Sequence, residues 1–227
     1  MKYLLRQTPG PLVLNKFNFA KDDWDSLSSS DKREVWEEII KMQGKLCAYC
    51  EKRIEHHKKP ENNRAERHIE HFYRKGVYKN LTFEWSNLFG SCGELQRCGF
   101  YKDKQKYDDV DLIKADERDP DDFFRFFESG DVQIKPGLDR QERKMAEVTL
   151  RVFNLNPSSG GVKAERRSAI ESSMTLIKEL VGYASQLINS QCEVEEVRSM
   201  IFEEFNERVK DRCFTTAIKH VFENRMP

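Results

Sequence analysis

Four of the six cysteines fall in two close pairs, Cys47 with Cys50 and Cys92 with Cys98, and these pairs constrain the fold more than any other feature of the chain. Thiolates at such spacing can close a tetrahedral zinc site, and a site of that kind contributes folding energy directly. Six cysteines in 227 residues are too few for a disulfide scaffold. Buried unligated thiols and a redox pair are the competing readings, but no βαβ pattern surrounds the CxxC. Cys192 and Cys213 sit in helical segments without neighbouring ligands and read as core or surface thiols. If zinc uses the four paired thiolates structurally, the residues between the pairs are left to carry the chemistry.

Those residues include His68-Ile69-Glu70-His71-Phe72, then Asn80, then Trp85-Ser86-Asn87-Leu88-Phe89 before Cys92. A carboxylate followed at once by a histidine puts a hard-metal ligand and a general base at one point of the chain. That pairing suits metal-assisted phosphodiester hydrolysis, although a Glu-His pair on a polar loop is more often simply solvated. The charge distribution fits an anionic partner. The chain has 39 Lys and Arg against 39 Asp and Glu, yet residues 1–107 hold 21 basic against 15 acidic side chains. The stretch from Lys52 to Lys79 is the basic part of that half and carries four of the five histidines. His56 and His57 beside Lys58 and Lys59 read as a loop. His220 reads as a packing or surface residue of a terminal helix.

Ahead of the first cysteine, Val35, Trp36, Ile39 and Ile40 recur at helical spacing over residues 31–43, with Ser29 or Ser30 as cap and Gly44 as stop. The apolar run Leu81–Trp85 hints at a small hairpin. An acidic link follows over residues 108–122, then a strand pair over 123–135 around Ser129-Gly130-Asp131. From Asp139 on, apolar spacing is largely helical, interrupted at Ser158–Gly161. The expected division is therefore residues 1–106, an N-terminal helix and a zinc-bound core, and residues 107–227, an acidic link, short strand pair and helical partner-binding region. The opening residues lack a secretory h-region and no apolar run spans a bilayer, so a cytoplasmic protein without membrane contact is expected.

The order CxxC, acid-His, Asn-Leu, Cys, Cys resembles the HNH endonucleases in their zinc-bound, ββα-metal form. Leu5-Arg6 with Pro9 and Pro11, Cys47-Ala48-Tyr49-Cys50-Glu51, His68–Phe72, Trp85–Cys92 and Cys98-Gly99 with Lys102 are more closely similar to the PtuB family. PtuB proteins are nuclease subunits of Septu-type anti-phage systems, some of them retron-associated. The resemblance covers mainly residues 1–106. It implies an α+β, mostly α fold, with a zinc-bound ββα-metal core and a helical C-terminal region.

Carried over by position, it makes His71 the general base, Glu70 the ligand of a catalytic Mg²⁺ or Mn²⁺, and Asn87 the residue that orients the histidine-bearing loop. His68 becomes a supporting group of the site. Cys47, Cys50, Cys92 and Cys98 become the ligands of structural zinc. Lys75, Lys79 and Lys102 are candidate phosphate contacts. The implied partners are nucleic acid, DNA favoured, a PtuA-like ABC-type ATPase, and a retron reverse transcriptase with its nucleic-acid product. No P-loop occurs in the chain itself.

Two positions depart from the pattern. Gly99 stands where a His or Asn would supply a second metal ligand, leaving Asp103, Asn80, water or substrate to fill the sphere. Arg74 stands where a proline is expected. The readings that compete with a nuclease are a catalytically silent zinc module that docks nucleic acid, favoured by Gly99, and an adaptor whose helices bind a protein partner.

Overall fold

The computed structural model describes residues 1–54 and 66–227, so the histidine and lysine pairs at 56–59 lie outside the described residues. The first long helix, α1 (Ser29–Gln43), is capped one residue ahead of the expected serines. Ser28 Oγ accepts from Asp31 N–H while the Asp31 carboxylate accepts from Ser28 N–H at 2.9 Å, so each residue satisfies an otherwise orphaned donor of the other. Gly44 ends the helix at a φ of 68°, in the left-handed region that a Cβ disfavours. Val35 and Ile39 face inward against Val13, Leu14, Trp24, Leu27, Phe83 and Leu88, and this apolar cluster is the floor on which the motif residues stand.

Strands β1 (Arg67–His71) and β2 (Leu88–Cys92) pair antiparallel, with Glu70 opposite Phe89 and His71 opposite Leu88. The hairpin is therefore built by the motif segments and not by Leu81–Trp85, which forms tight turns flanked by short 3-10 segments at Lys79–Leu81 and Trp85–Asn87. The reason is packing: Phe83 turns into the core beside Phe17, where alternation along a strand would have exposed half the run. A short helix α2 (Cys98–Lys102) follows β2 and contacts it, completing a ββα order.

Two compact units emerge: residues 1–123 with 136–155, and residues 124–135 with 156–227. The expected boundary at 106/107 falls inside the first. Helix α3 (Arg140–Val152), capped by Asp139 and Glu142, belongs with the motif residues. The acidic link is tied there too: Ile113 N–H donates to Thr149 Oγ1 at 2.9 Å, Leu4 N–H to the Ala115 carbonyl at 2.9 Å, and Arg6 Nε to Asp116 at 2.5 Å.

In the second unit, β3 (Phe124–Phe126) and β4 (Val132–Ile134) form the expected strand pair. Helices α4 (Gly161–Asn189), α5 (Val194–Val209) and α6 (Thr215–Glu223) supply its apolar faces, among them Ile177 and Leu180 of α4 and Ile201 and Phe205 of α5. Phe222 of α6 stacks on Phe205 with ring centroids 4.0 Å apart. His220 is buried, and its Nδ1 accepts from Phe126 N–H at 3.0 Å, which is the packing role its position suggested. The fold is α+β and mostly α. Among the described residues no helix is long and apolar enough to cross a membrane.

Candidate active site

Cys47, Cys50, Cys92 and Cys98 meet in one buried cluster, their sulfurs all within 4.8 Å of one another, with Cys50 and Cys92 Sγ 3.9 Å apart. Four ligands at about 2.3 Å from a tetrahedral ion stand at this kind of separation, so the donor set fits zinc. Local backbone builds the cluster. Glu51 N–H returns to the Cys47 carbonyl at 3.0 Å and Glu51 takes a φ of 63°, which makes the tight knuckle of the CxxC. Cys92 N–H donates to Cys47 Sγ at 3.3 Å, and Cys98 N–H to the Phe153 carbonyl at 2.9 Å. Burial pushes the Cys50 and Cys98 thiols well up, a cost that a bound cation reverses by taking the thiolates as ligands. Tyr49, inside the CxxC, stacks on Phe153 at 4.1 Å and joins the knuckle to the end of α3.

Glu70 and His71 close β1 and face an open hollow of about 690 Å³, which Trp24, His68, Arg74, Lys75 and Asp103 also line. The His71 ring is buried, held edge-on by Trp24 with centroids 4.6 Å apart. Its Nε2 donates to the Thr82 carbonyl at 3.0 Å, which leaves Nδ1 as the acceptor nitrogen of the neutral ring. Burial drives the imidazole down to about 4, so it stays neutral at ordinary pH. Asn87 is buried behind it. Its Oδ1 accepts from Tyr73 N–H at 2.7 Å, and its Nδ2 donates to the Tyr73 and Leu81 carbonyls at 3.0 Å each. One side chain thus pins both ends of the segment that follows the histidine.

Glu70 is almost wholly enclosed. Its Oε1 lies 2.6 Å from Lys102 Nζ and its Oε2 2.9 Å from His68 Nε2. Burial opposes ionisation of this carboxyl, but Lys102 and then His68 outweigh it and hold the group below its usual range. His68 in turn stacks on Phe100 at 3.9 Å. Gly99 has a steric reason: a Cβ there would collide with the Glu70 carboxylate and come within 2.6 Å of His68 Nε2. The position where the resemblance implies a second metal ligand is here cleared for Glu70 and His68.

Lys102 corrects the sequence reading. It is fully buried, and its ammonium donates to the His71 carbonyl at 2.6 Å and the Phe72 carbonyl at 3.0 Å while pairing with Glu70. No donor remains for a phosphate, because the short helix α2 turns the side chain under β1 instead of out to solvent. Lys75 and Lys79 are exposed. Lys75 lines the hollow and Lys79 lines a second one beside it. Asn80 is exposed and lines neither.

Around Glu70 the donor set is narrow. Among the described residues, the one group of three or more Cys, His, Asp or Glu close enough to share an ion is the cysteine cluster. Each Glu70 oxygen keeps a further lone pair, and Asp103 stands at the rim. A cation at Glu70 would therefore have this one carboxylate, already engaged by Lys102 and His68, and would draw its other ligands from water and a substrate phosphate and not from a protein cage.

Two residues that sequence reading passed over also set the site. Gln43 pairs with Gly90 in both directions, donating to its carbonyl at 2.8 Å and accepting from its N–H at 2.9 Å, and so fastens β2 to α1. Arg6 lies between the rings of Trp85 and Phe89, at 4.7 and 4.6 Å, and donates to the Trp85 carbonyl at 2.6 Å. In the sequence Arg6 stands out only through the resemblance, with no role attached to it, and nothing around Gln43 marks it.

No family model matches the chain. A curated protein of Vibrio cholerae serotype O1 biovar El Tor, named "Retron Vc95 putative HNH endonuclease", is 25% identical over 188 residues, covering 76% of this chain and 85% of that protein. With the cysteine cluster and the ββα order, this distant similarity supports an HNH endonuclease family for the chain and nuclease chemistry at that level.

Proposed function

We propose that the chain is a metal-dependent HNH endonuclease that hydrolyses nucleic-acid phosphodiesters, DNA favoured, as the effector subunit of an anti-phage defence complex. The observation that carries this reading is His71: a neutral imidazole with one nitrogen committed to Thr82 and its ring on an open hollow, held beside an ionised carboxylate. His71 Nδ1 takes a proton from water as its oxygen bonds to phosphorus. The bond to the 3′ oxygen then breaks, that oxygen takes a proton from solvent, and the product carries a 5′ phosphate. A divalent cation at Glu70, Mg²⁺ or Mn²⁺, supplies Lewis-acid stabilisation of the phosphate charge when bound. Asn87 holds the loop after His71, and His68 orients Glu70 from behind. Lys75 and Lys79 are phosphate contacts on the rim.

The retron name of the relative and the PtuB-like motifs support a Septu-type setting. In that setting the chain works with a PtuA-like ATPase and a retron reverse transcriptase with its product, and the helices of the second unit are the surface for a protein partner. Cleavage of oligonucleotides with Mg²⁺ or Mn²⁺ tests the reading. His71→Ala should lower the rate by at least about 10²-fold with zinc content unchanged, and Glu70→Gln should act in the same direction. EDTA should stop cleavage before it strips the thiolate-bound zinc. Full activity of His71→Ala, against a mock purification, would remove the base assignment. The enclosure of Glu70 by Lys102 and His68 favours one other reading, a silent zinc module that docks nucleic acid. Oligonucleotide binding without cleavage under any divalent cation would decide for it.

A further inference from the structure

The site described so far has a base and a carboxylate but no fixed contact for the substrate's backbone, because Lys102 is spent internally and Lys75 and Lys79 are long, exposed side chains free to reorient. Arg74 differs from all three. It follows His71 by three residues, lines the same hollow, and is half-buried. Its guanidinium lies over the Tyr107 ring at 4.5 Å, and one terminal nitrogen reaches the Gln105 carbonyl at 3.4 Å. Its Nε is buried without a hydrogen-bond partner, and among the described residues no carboxylate pairs with its charge. A planar cation stacked in place loses little further entropy on binding, and the terminal nitrogen that Gln105 does not take can donate to a phosphate oxygen.

The surroundings favour a strand passing Arg74 in one direction. The second hollow, about 360 Å³, shares Trp24, Asp25, Lys75 and Gly76 with the first and continues it toward Lys79 and the exposed Phe19. Arg74, Lys75 and Lys79 line this path from one segment, while Asp22, Asp23 and Asp25 line it from another and repel phosphate. Of the two sides of this path, the 74–79 segment is the one whose charge suits a nucleic-acid backbone.

We propose that Arg74 is the anchoring contact of the substrate strand, a preset guanidinium that grips a phosphate next to the scissile one and so determines where the strand sits against His71. This rests on the nuclease reading, and the test is a binding measurement that does not depend on cleavage. A fluorescent oligonucleotide is titrated with the full-length protein in EDTA across a range of salt, comparing wild type, Arg74→Ala, Arg74→Lys and, as a remote control on α1, Lys41→Gln. Arg74→Ala should weaken binding about 10-fold and reduce the slope of log K against log salt by roughly 0.7–0.9, the loss of one phosphate contact.

Arg74→Lys should keep the slope and recover only part of the affinity, since charge survives but the stacked fork does not. In a Mg²⁺ assay it should raise KM more than it lowers kcat. Lys41→Gln should change nothing. A slope in Arg74→Ala equal to wild type would overturn the proposal and leave Arg74 as a clamp for Tyr107 and Gln105. Should Arg74→Ala lose zinc or its circular-dichroism signal, Arg74→Lys decides alone: wild-type affinity in that variant would equally overturn it. Failure of the wild type to bind any oligonucleotide would instead sink the nuclease reading itself.

Discussion

Lys102 and Glu70 form a buried ion pair whose partners cannot be changed singly without a large cost. With Lys102 gone, Glu70 would be left charged or forced to take a proton inside the protein, and the His71 and Phe72 carbonyls would lose their donor. Breaking a buried pair from one side typically costs about 3–5 kcal/mol, whereas replacing both partners is far milder. Lys102→Met should therefore lower stability by about that much in urea unfolding, and Glu70→Gln with Lys102→Met should recover a substantial part. Equal destabilisation of the single and double variants would mean that the ammonium acts only through the two carbonyls. Gly99→Ala belongs to the same cluster, since its methyl group would enter the space of Glu70 and His68.

At the scale of elements, the site depends on how closely β2 approaches α1. A Cβ on Gly90 would stand 2.8 Å from Gln43 Nε2, from Ile39 Cγ2 and from Trp36 Cζ3, so Gly90→Ala must push the strand off the helix or twist Gln43 out of its paired contacts. The expected loss is about 1–3 kcal/mol. Gly76→Ala, with nothing within 4 Å, is the matched control and should be neutral. Denaturation midpoints of the two variants check this, and equal midpoints would contradict the close approach. The cysteine cluster is the second tie between elements, joining the CxxC turn, the end of β2 and the start of α2. Purified protein should contain about one zinc per chain. Cys47→Ser should lose it along with much of the thermal stability, while the exposed Cys192→Ser should lose neither.

For the whole molecule, truncation separates the motif boundary from the packing boundary. A chain ending at Lys106 carries every motif residue yet lacks Phe153, whose carbonyl holds Cys98 and whose ring stacks on Tyr49, as well as Asp116 and Ala115, which hold Arg6 and Leu4. It should fail to fold, whereas a chain ending at Leu155 should bind zinc and melt cooperatively. Cooperative folding of the shorter chain would refute the first-unit assignment of residues 108–123 and α3. The cysteine cluster, the segments that place Glu70, His71 and Asn87 near one another and the helical back half were legible because each follows from residue identity, spacing or periodicity. Thiolates bind zinc wherever the chain lets them meet, and an apolar repeat near 3.6 residues forms one helical face in any context. The burial of Lys102, the clearance at Gly99, the Gln43 and Gly90 pairing, the stacking of Arg74 on Tyr107 and the true limit of the first unit were not legible. Each depends on which segments pack against one another, and a lysine or glycine has the same local preferences whether it lies at the surface or beneath a strand. Only the three-dimensional packing decides which charges lose water, and with them which cations remain available to a substrate.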